Sequence, residues 1–301
     1  MKRVLLRSIM LPARRKFRRG ARAAPSPGPA RGGHVEYQDI LYAAAGGIAT
    51  ITINRPEVRN AVRPNTYEEL THATQQAAAD PEIGVVVFTG AGDKAFCSGG
   101  DVRDQQTRVP EVGRVHMRRL FALSSAMRMC DKPIIAKVRG FCVGGGNEIN
   151  LFCDMTIASD DARFGQVGPR VGSVPIWGAC QLLARYVGER KAREMLYTCR
   201  LYTAQQALEM GLINEVVPAD QLDAAVDRTC QEILDKSPQS IRIAKIALNA
   251  GSDQEFYSSF FPTAELLASI YGNAENMEGI AAFLEKRKPD YRKFRVRREK
   301  V

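Results

Sequence analysis

Two short apolar runs, Gly84-Val-Val-Val-Phe-Thr89 and Pro133-Ile-Ile-Ala-Lys-Val138, constrain this chain more than any other feature. A strand with one face in water alternates polar and apolar residues. A strand covered on both faces does not, and such strands belong to parallel sheets wrapped by helices. Both runs lead into glycine-rich turns, and the pattern between them predicts a helix of about two dozen residues ending near Met129. Met155-Thr-Ile-Ala158 and Ile213-Asn-Glu-Val-Val217 read as shorter strands. Upstream, Ile48-Ala-Thr-Ile-Thr-Ile53 alternates at period two after Gly46-Gly47, predicting a hairpin with residues 40–43. Pro56 ends it, and Asn65 or Thr66 is the expected cap of a helix running to about Ala79. After Ser237-Pro238 the periodicity is helical almost to the end. The predicted fold is an α/β body over residues 36–236, followed by a C-terminal α-helical region, 237–301, that packs on neighbouring subunits.

The 301 residues are 45% hydrophobic and 25% charged, the profile of a folded chain, and no apolar run reaches the roughly 18 residues of a membrane span. The formal charge of +10 raises a nucleic-acid reading, but ten of the 43 Lys and Arg lie in residues 1–35, which hold no Asp or Glu. The other 33 balance the 33 Asp and Glu, so the charge belongs to the leader and not to the body. That Arg-, Ala- and Pro-rich leader has no packing pattern and is expected to be disordered. It is open to three readings: a mitochondrial presequence, a polyanion-binding arm, or translated sequence upstream of the true start. The seven cysteines are odd in number and form no C-x-x-C pair, and the three histidines sit in no motif. Together they argue for a reducing compartment, here the cytoplasm or, with a presequence, the mitochondrial matrix, and against a metal site or a hydrolase triad.

Two turns carry the chemistry. Ala95-Phe-Cys-Ser-Gly-Gly-Asp101 precedes the long helix, and Gly140-Phe-Cys-Val-Gly-Gly-Gly-Asn-Glu148 opens another. Glycines let main-chain N–H groups approach a ligand closely, and a helix N-terminus aims them outward. Taken singly, either turn is equally a tight strand-to-helix connection. Two donors converging on one oxygen would form an oxyanion hole, where one donor is worth about 3 to 4 kcal/mol of barrier.

With Asn54-Arg-Pro-Glu-Val-Arg-Asn-Ala61, Cys153-Asp154, Phe164-Gly-Gln166 and Glu278-Gly-Ile-Ala-Ala-Phe-Leu-Glu-Lys-Arg-Lys288, these turns resemble the crotonase superfamily, the enoyl-CoA hydratase/isomerase family, from about Tyr37 to Phe294. The resemblance implies a spiral of repeated ββα units with a C-terminal helical trimerisation region, assembled as a trimer or a dimer of trimers. It implies an acyl-CoA thioester substrate and no cofactor apart from the coenzyme A carried by that substrate. The oxyanion donors fall on Gly100 and Gly145 and the acid/base on Glu148. Nucleotide contacts fall on Val58, Arg59 and Ala61, with Ser98 and Asp101 beside the thioester. Tyr271 is expected to reach an adjacent subunit's pocket. Lys286, Arg287 and Lys288 either meet CoA phosphates or form a solvated charge run.

Simple hydratases use a second glutamate, and this chain has Gly168 there. Phe164-Gly-Gln-Val-Gly-Pro-Arg-Val-Gly-Ser173 is similar instead to the branch holding dihydroxynaphthoyl-CoA synthase and the ketocyclohexane- and oxocyclohexene-carboxyl-CoA hydrolases. The synthase's catalytic Asp is replaced by Pro175, which together with Glu148 ranks a cyclic or β-oxo acyl-CoA hydrolase, or hydratase-hydrolase, first. Ser173 is the expected donor to a second oxo group or a loop-capping serine, and Trp177 a pocket floor or a core residue. A single-glutamate 2-enoyl-CoA hydratase, a synthase-like ring closure and a noncatalytic RNA-binding or scaffold protein are the alternatives.

Overall fold

The computed structural model describes residues 36–295; the basic leader lies outside them. From Tyr37 to Arg295 the chain forms one compact unit, in which the C-terminal helices share the core of the α/β body.

The hairpin pairs β1 (Ile40–Ala45) with β2 (Ile48–Ile53) around Gly46 and Gly47, both at positive φ. Four parallel strands continue the sheet: β3 (Val85–Gly90), β5 (Ile134–Val138), β7 (Met155–Ser159) and β10 (Glu215–Val217), in the order β1-β2-β3-β5-β7-β10. The apolar runs are buried from both sides. Val86, Phe88, Ile134 and Ala136 enter the main core, while Val85, Val87, Ile135 and Ile157 meet Leu222, Ala225, Val226 and Cys230 of α8 (Leu222–Leu234).

A second sheet, too short in each strand to show in the sequence, comprises β4 (Ala95–Cys97), β6 (Phe141–Val143), β8 (Arg163–Gly165) and β9 (Tyr202–Thr203), in the order β4-β6-β8-β9. Each of β3, β5 and β7 therefore feeds a short strand of the second sheet before the chain turns away. For β3 and β5 the turn opens a helix: α2 (Val102–Gln105) after β4 and α4 (Gly145–Phe152) after β6. This repetition makes the fold α/β with recurring units.

Around the sheets lie α1 (Pro64–Ala79), α3 (Pro110–Met129), α5 (Ala179–Val187), α6 (Glu189–Thr198), α7 (Ala204–Glu209), α9 (Pro238–Ile270) and α10 (Ala274–Leu284). α1 packs on α3 and α3 on α9. Two expectations are corrected. The single long helix is two, because Pro110 forces Val109 into extended backbone (φ −108°, ψ 165°) and starts α3 afresh. α1 begins at Pro64, and Thr66 serves it from inside the first turn: its Oγ1 accepts from Arg63 N–H (3.2 Å) and donates to Asp39 (2.6 Å). Among the described residues no helix is long and apolar enough to cross a membrane.

Candidate active site

The site follows from one pairing. β4 and β6 are parallel neighbours, so the turns that end them leave the second sheet at the same edge. Gly99 has φ +98°, and a Cβ there would stand 3.2 Å from Gly145 N. A Cβ on Gly145 would stand 3.4 Å from Gly100 N. The two turns thus abut at their glycines, 45 residues apart in the chain and side by side in space. Neither Gly100 N–H nor Gly145 N–H donates to another group among the described residues. Gly145 is the first residue of α4, so its N–H is one of the outward-facing donors of a helix start.

The segment before α1 is stitched to the first turn. Val62 N–H donates to Gly99 O (2.9 Å), Asp101 N–H to Val62 O (2.9 Å), Ser98 N–H to Arg59 O (3.1 Å) and Ser98 Oγ to Val58 O (3.3 Å). Val58, Arg59, Ala61, Ser98 and Asp101 are therefore brought together beside Gly100. Arg59, exposed and at φ 54°, lays its guanidinium 5.6 Å from the centre of the Phe141 ring. Asp101 is engaged within the fold: it accepts from Arg55 (3.2 Å) and caps α2 through Arg103 N–H (3.1 Å).

Glu148 lies one turn into α4, 8% exposed, and its Oε1 accepts from Trp177 N–H at 2.8 Å. Burial raises its carboxyl to about 8, with the Trp177 bond pulling the other way. The Trp177 indole is 1% exposed and packs on Tyr67 and Phe152, so it is a core residue rather than an exposed pocket floor, and its main chain is what touches the acid. Where a second carboxylate was absent from the sequence, a Cβ on Gly168 would meet Ser173 O at 3.2 Å and Pro175 Cδ at 3.3 Å: the turn itself fills that space.

Ser173 follows the loop 168–172, which α10 clamps. Asn276 Nδ2 donates to Gly172 O (3.2 Å), and a Cβ on Gly172 would lie 2.6 Å from Asn276 Cα. Tyr271 is 4% exposed and lies against its own chain, where its ring covers Gly113 of α3 and takes the Arg108 guanidinium 5.5 Å from its centre. The expectation that it projects to an adjacent subunit is corrected accordingly. Burial raises the Tyr271 phenol, while Arg108 and Ser173 act to lower it. Lys288 sits in an exposed stretch after α10 and is not brought to the other candidates, while Arg287 is held by Glu278 and Glu285.

Three side chains were missed. Tyr67 (2% exposed), Arg108 (4%) and His116 (5%) are buried; Glu148 and Arg108 act on the Tyr67 phenol, and Arg108 on the His116 ring. Tyr67 meets the His116 ring edge-on at 5.4 Å, and Arg108 pairs with Asp104 at 2.5 Å. Burial, then the charges of Arg108 and Arg119, holds His116 well below the ordinary histidine range, so it is neutral. Tyr67 falls on the apolar stripe of α1 with Leu70, Ala73 and Ala77, where a sequence reading expects core; the spacing of Asp104 and Arg108 by four was the only signal for that pair.

Two backbone donors beside one buried carboxylate, in an α/β fold of recurring units, are the makings of an acyl-transfer or enolate-forming enzyme. The sequence profile of the enoyl-CoA hydratase/isomerase family matches residues 43–294, and the chain belongs to that family. Among solved structures it is similar to an enoyl-CoA hydratase from Mycobacterium avium subsp. paratuberculosis K-10 (28% identity, TM-score 0.77, covering 85% of this chain and 99% of that one). It is also similar to an enoyl-CoA hydratase/isomerase from Xanthobacter autotrophicus Py2 (32%, TM-score 0.77, 83% and 94%) and to an enoyl-CoA hydratase from Bacillus anthracis (31%, TM-score 0.69, 84% and 99%). It is thus an enzyme of the crotonase type, consistent with an acyl-CoA substrate.

Proposed function

We propose that this enzyme adds water to a cyclic or β-oxo acyl-CoA and opens it at a carbon–carbon bond, through an enolate held by the N–H groups of Gly100 and Gly145. The observation that carries this reading is a single buried carboxylate, Glu148, beside two unengaged main-chain donors, with a glycine at the second acid position. Ionised Glu148 takes a proton from water, and the hydroxide adds to the ring or β carbonyl. The bond to the α-carbon breaks, its electron pair passing to the thioester as an enolate, and Glu148 returns its proton to the α-carbon. Hydroxide added instead to the β-carbon of a conjugated double bond sends the π pair to the thioester as the same enolate, with no carbon–carbon bond broken, so the 2-enoyl-CoA hydratase reading shares the machinery; the names of the similar structures favour it. The grouping of Tyr271 with Arg108 and Ser173 supports the oxo substrate, because these side chains are hydrogen-bond donors apart from the two glycine turns. Coenzyme A, as part of the substrate, is the only non-protein group the reaction requires. Assembly as a trimer or a dimer of trimers belongs to this reading: α9 and α10 leave Leu248, Phe261, Leu266 and Phe283 more than half exposed.

Purified enzyme is to be incubated with a panel of cyclic oxo-acyl-CoAs and with crotonyl-CoA, and products read by mass for the gain of one water. The expected result is turnover of an oxo-acyl-CoA, reduced roughly 10²- to 10⁴-fold in Glu148→Gln. Rapid hydration of crotonyl-CoA alone selects the hydratase, and turnover that survives Glu148→Gln removes that residue from the chemistry.

A further inference from the structure

Tyr67 sits in the core face of α1 with its hydroxyl at the place where the two glycine turns meet. Its Oη lies 3.3 Å from the point where a Cβ on Gly145 would stand, and Gly100 N lies 3.4 Å from that same point. The hydroxyl and the two glycine turns therefore border one small volume. The ring cannot swing away: it is 2% exposed, set in the core face of α1, with His116 edge-on at 5.4 Å and Trp177 at 5.7 Å. No hydrogen bond from the hydroxyl forms among the described residues, and its nearest acid, Glu148, has Oε1 engaged by Trp177 N–H. The groups around that volume are donors: two amide N–H groups and this hydroxyl. What is missing is an oxygen with lone pairs.

We propose that Tyr67 is a catalytic residue whose phenolic hydroxyl donates a third hydrogen bond to the substrate's thioester oxygen, beside the N–H groups of Gly100 and Gly145. The inference rests on the acyl-CoA reading and adds to it a side-chain donor. Burial, and after it the charges of Cys97 and Glu148, keeps the phenol far above its ordinary range, so it donates and does not act as a base. A phenol in this position strengthens its bond as negative charge moves onto the oxygen, so it favours the enolate over the bound ground state.

The test compares two ligands on wild type and Tyr67→Phe, which keeps the ring and removes the hydroxyl. Acetoacetyl-CoA has a thioester oxygen, and its bound enolate is read by near-ultraviolet absorbance; a thioether analogue with a methylene in place of the thioester carbonyl has no such oxygen. The expected result is affinity for acetoacetyl-CoA weaker by about 10- to 100-fold in Tyr67→Phe with loss of the enolate band. The thioether should bind both proteins alike, which also reports that the variant is folded. Equal affinity of both proteins for acetoacetyl-CoA, or equal loss for both ligands, overturns the role of Tyr67 alone. Wild type that binds neither ligand overturns the acyl-CoA reading, and this inference with it.

Discussion

Burial raises the Glu148 carboxyl from its ordinary 4.5 to about 8, so between those values the folded chain holds a proton that the unfolded chain releases. Stability contributed at this position is therefore greatest at low pH and declines as pH rises through that window. Replacing Glu148 by Gln removes the titration. The variant should gain on wild type by up to about 1.4 kcal/mol per pH unit across the window and no further above it. Thermal unfolding of both proteins over this range measures the gain, and a constant difference would mean the carboxyl does not titrate there. Activity should move the opposite way. If ionised Glu148 takes the proton from water, kcat/KM rises with pH and levels off above about 8, and no such rise remains in the Gln variant. Glu148 was legible in the sequence through the family that the turn Gly140–Glu148 resembles. Tyr67 and Arg108 were not: a tyrosine on an apolar stripe reads as core, and an arginine in the link between α2 and α3 reads as surface until coordinates bury it.

At the scale of elements, β4 and β6 are three residues each, too short for alternation to register, yet their pairing brings the two turns together. The contact is close enough to test. A Cβ on Gly146 would stand 2.2 Å from Cys97 O and 2.7 Å from Cys97 Cβ, so Gly146→Ala must push β4 away from the start of α4. The expected cost is about 1 to 3 kcal/mol in denaturant unfolding, with a loss of turnover larger than a surface substitution of equal cost produces. An unchanged midpoint with full activity would show that the junction has slack. The apolar strands β3 and β5 were legible because a run covered on both faces loses its polar residues and theirs are long enough to show it. The break before Pro110 was missed, although the residue preceding a proline avoids helical backbone.

For the whole molecule, α9 and α10 pack one side on the body and leave Leu266 (68%) and Phe283 (57%) to solvent in a single chain. If these faces meet their counterparts in other copies, Leu266→Glu combined with Phe283→Glu should lower the mass seen by light scattering to that of one chain while the circular dichroism of the fold is kept. Unchanged mass would take these residues out of the interface. The helical character of this region was plain in its sequence, whereas its grip on the loop 168–172 was not, since nothing in a glycine at 172 says which distant asparagine it makes room for. That grip has a further result. The part of the site facing the thioester is assembled from the first half of the chain, while the wall around Ser173 is braced by a helix near its end. A lineage could therefore exchange the acyl group it accepts by redrawing its last turns of helix, leaving the apparatus that handles the enolate as it was.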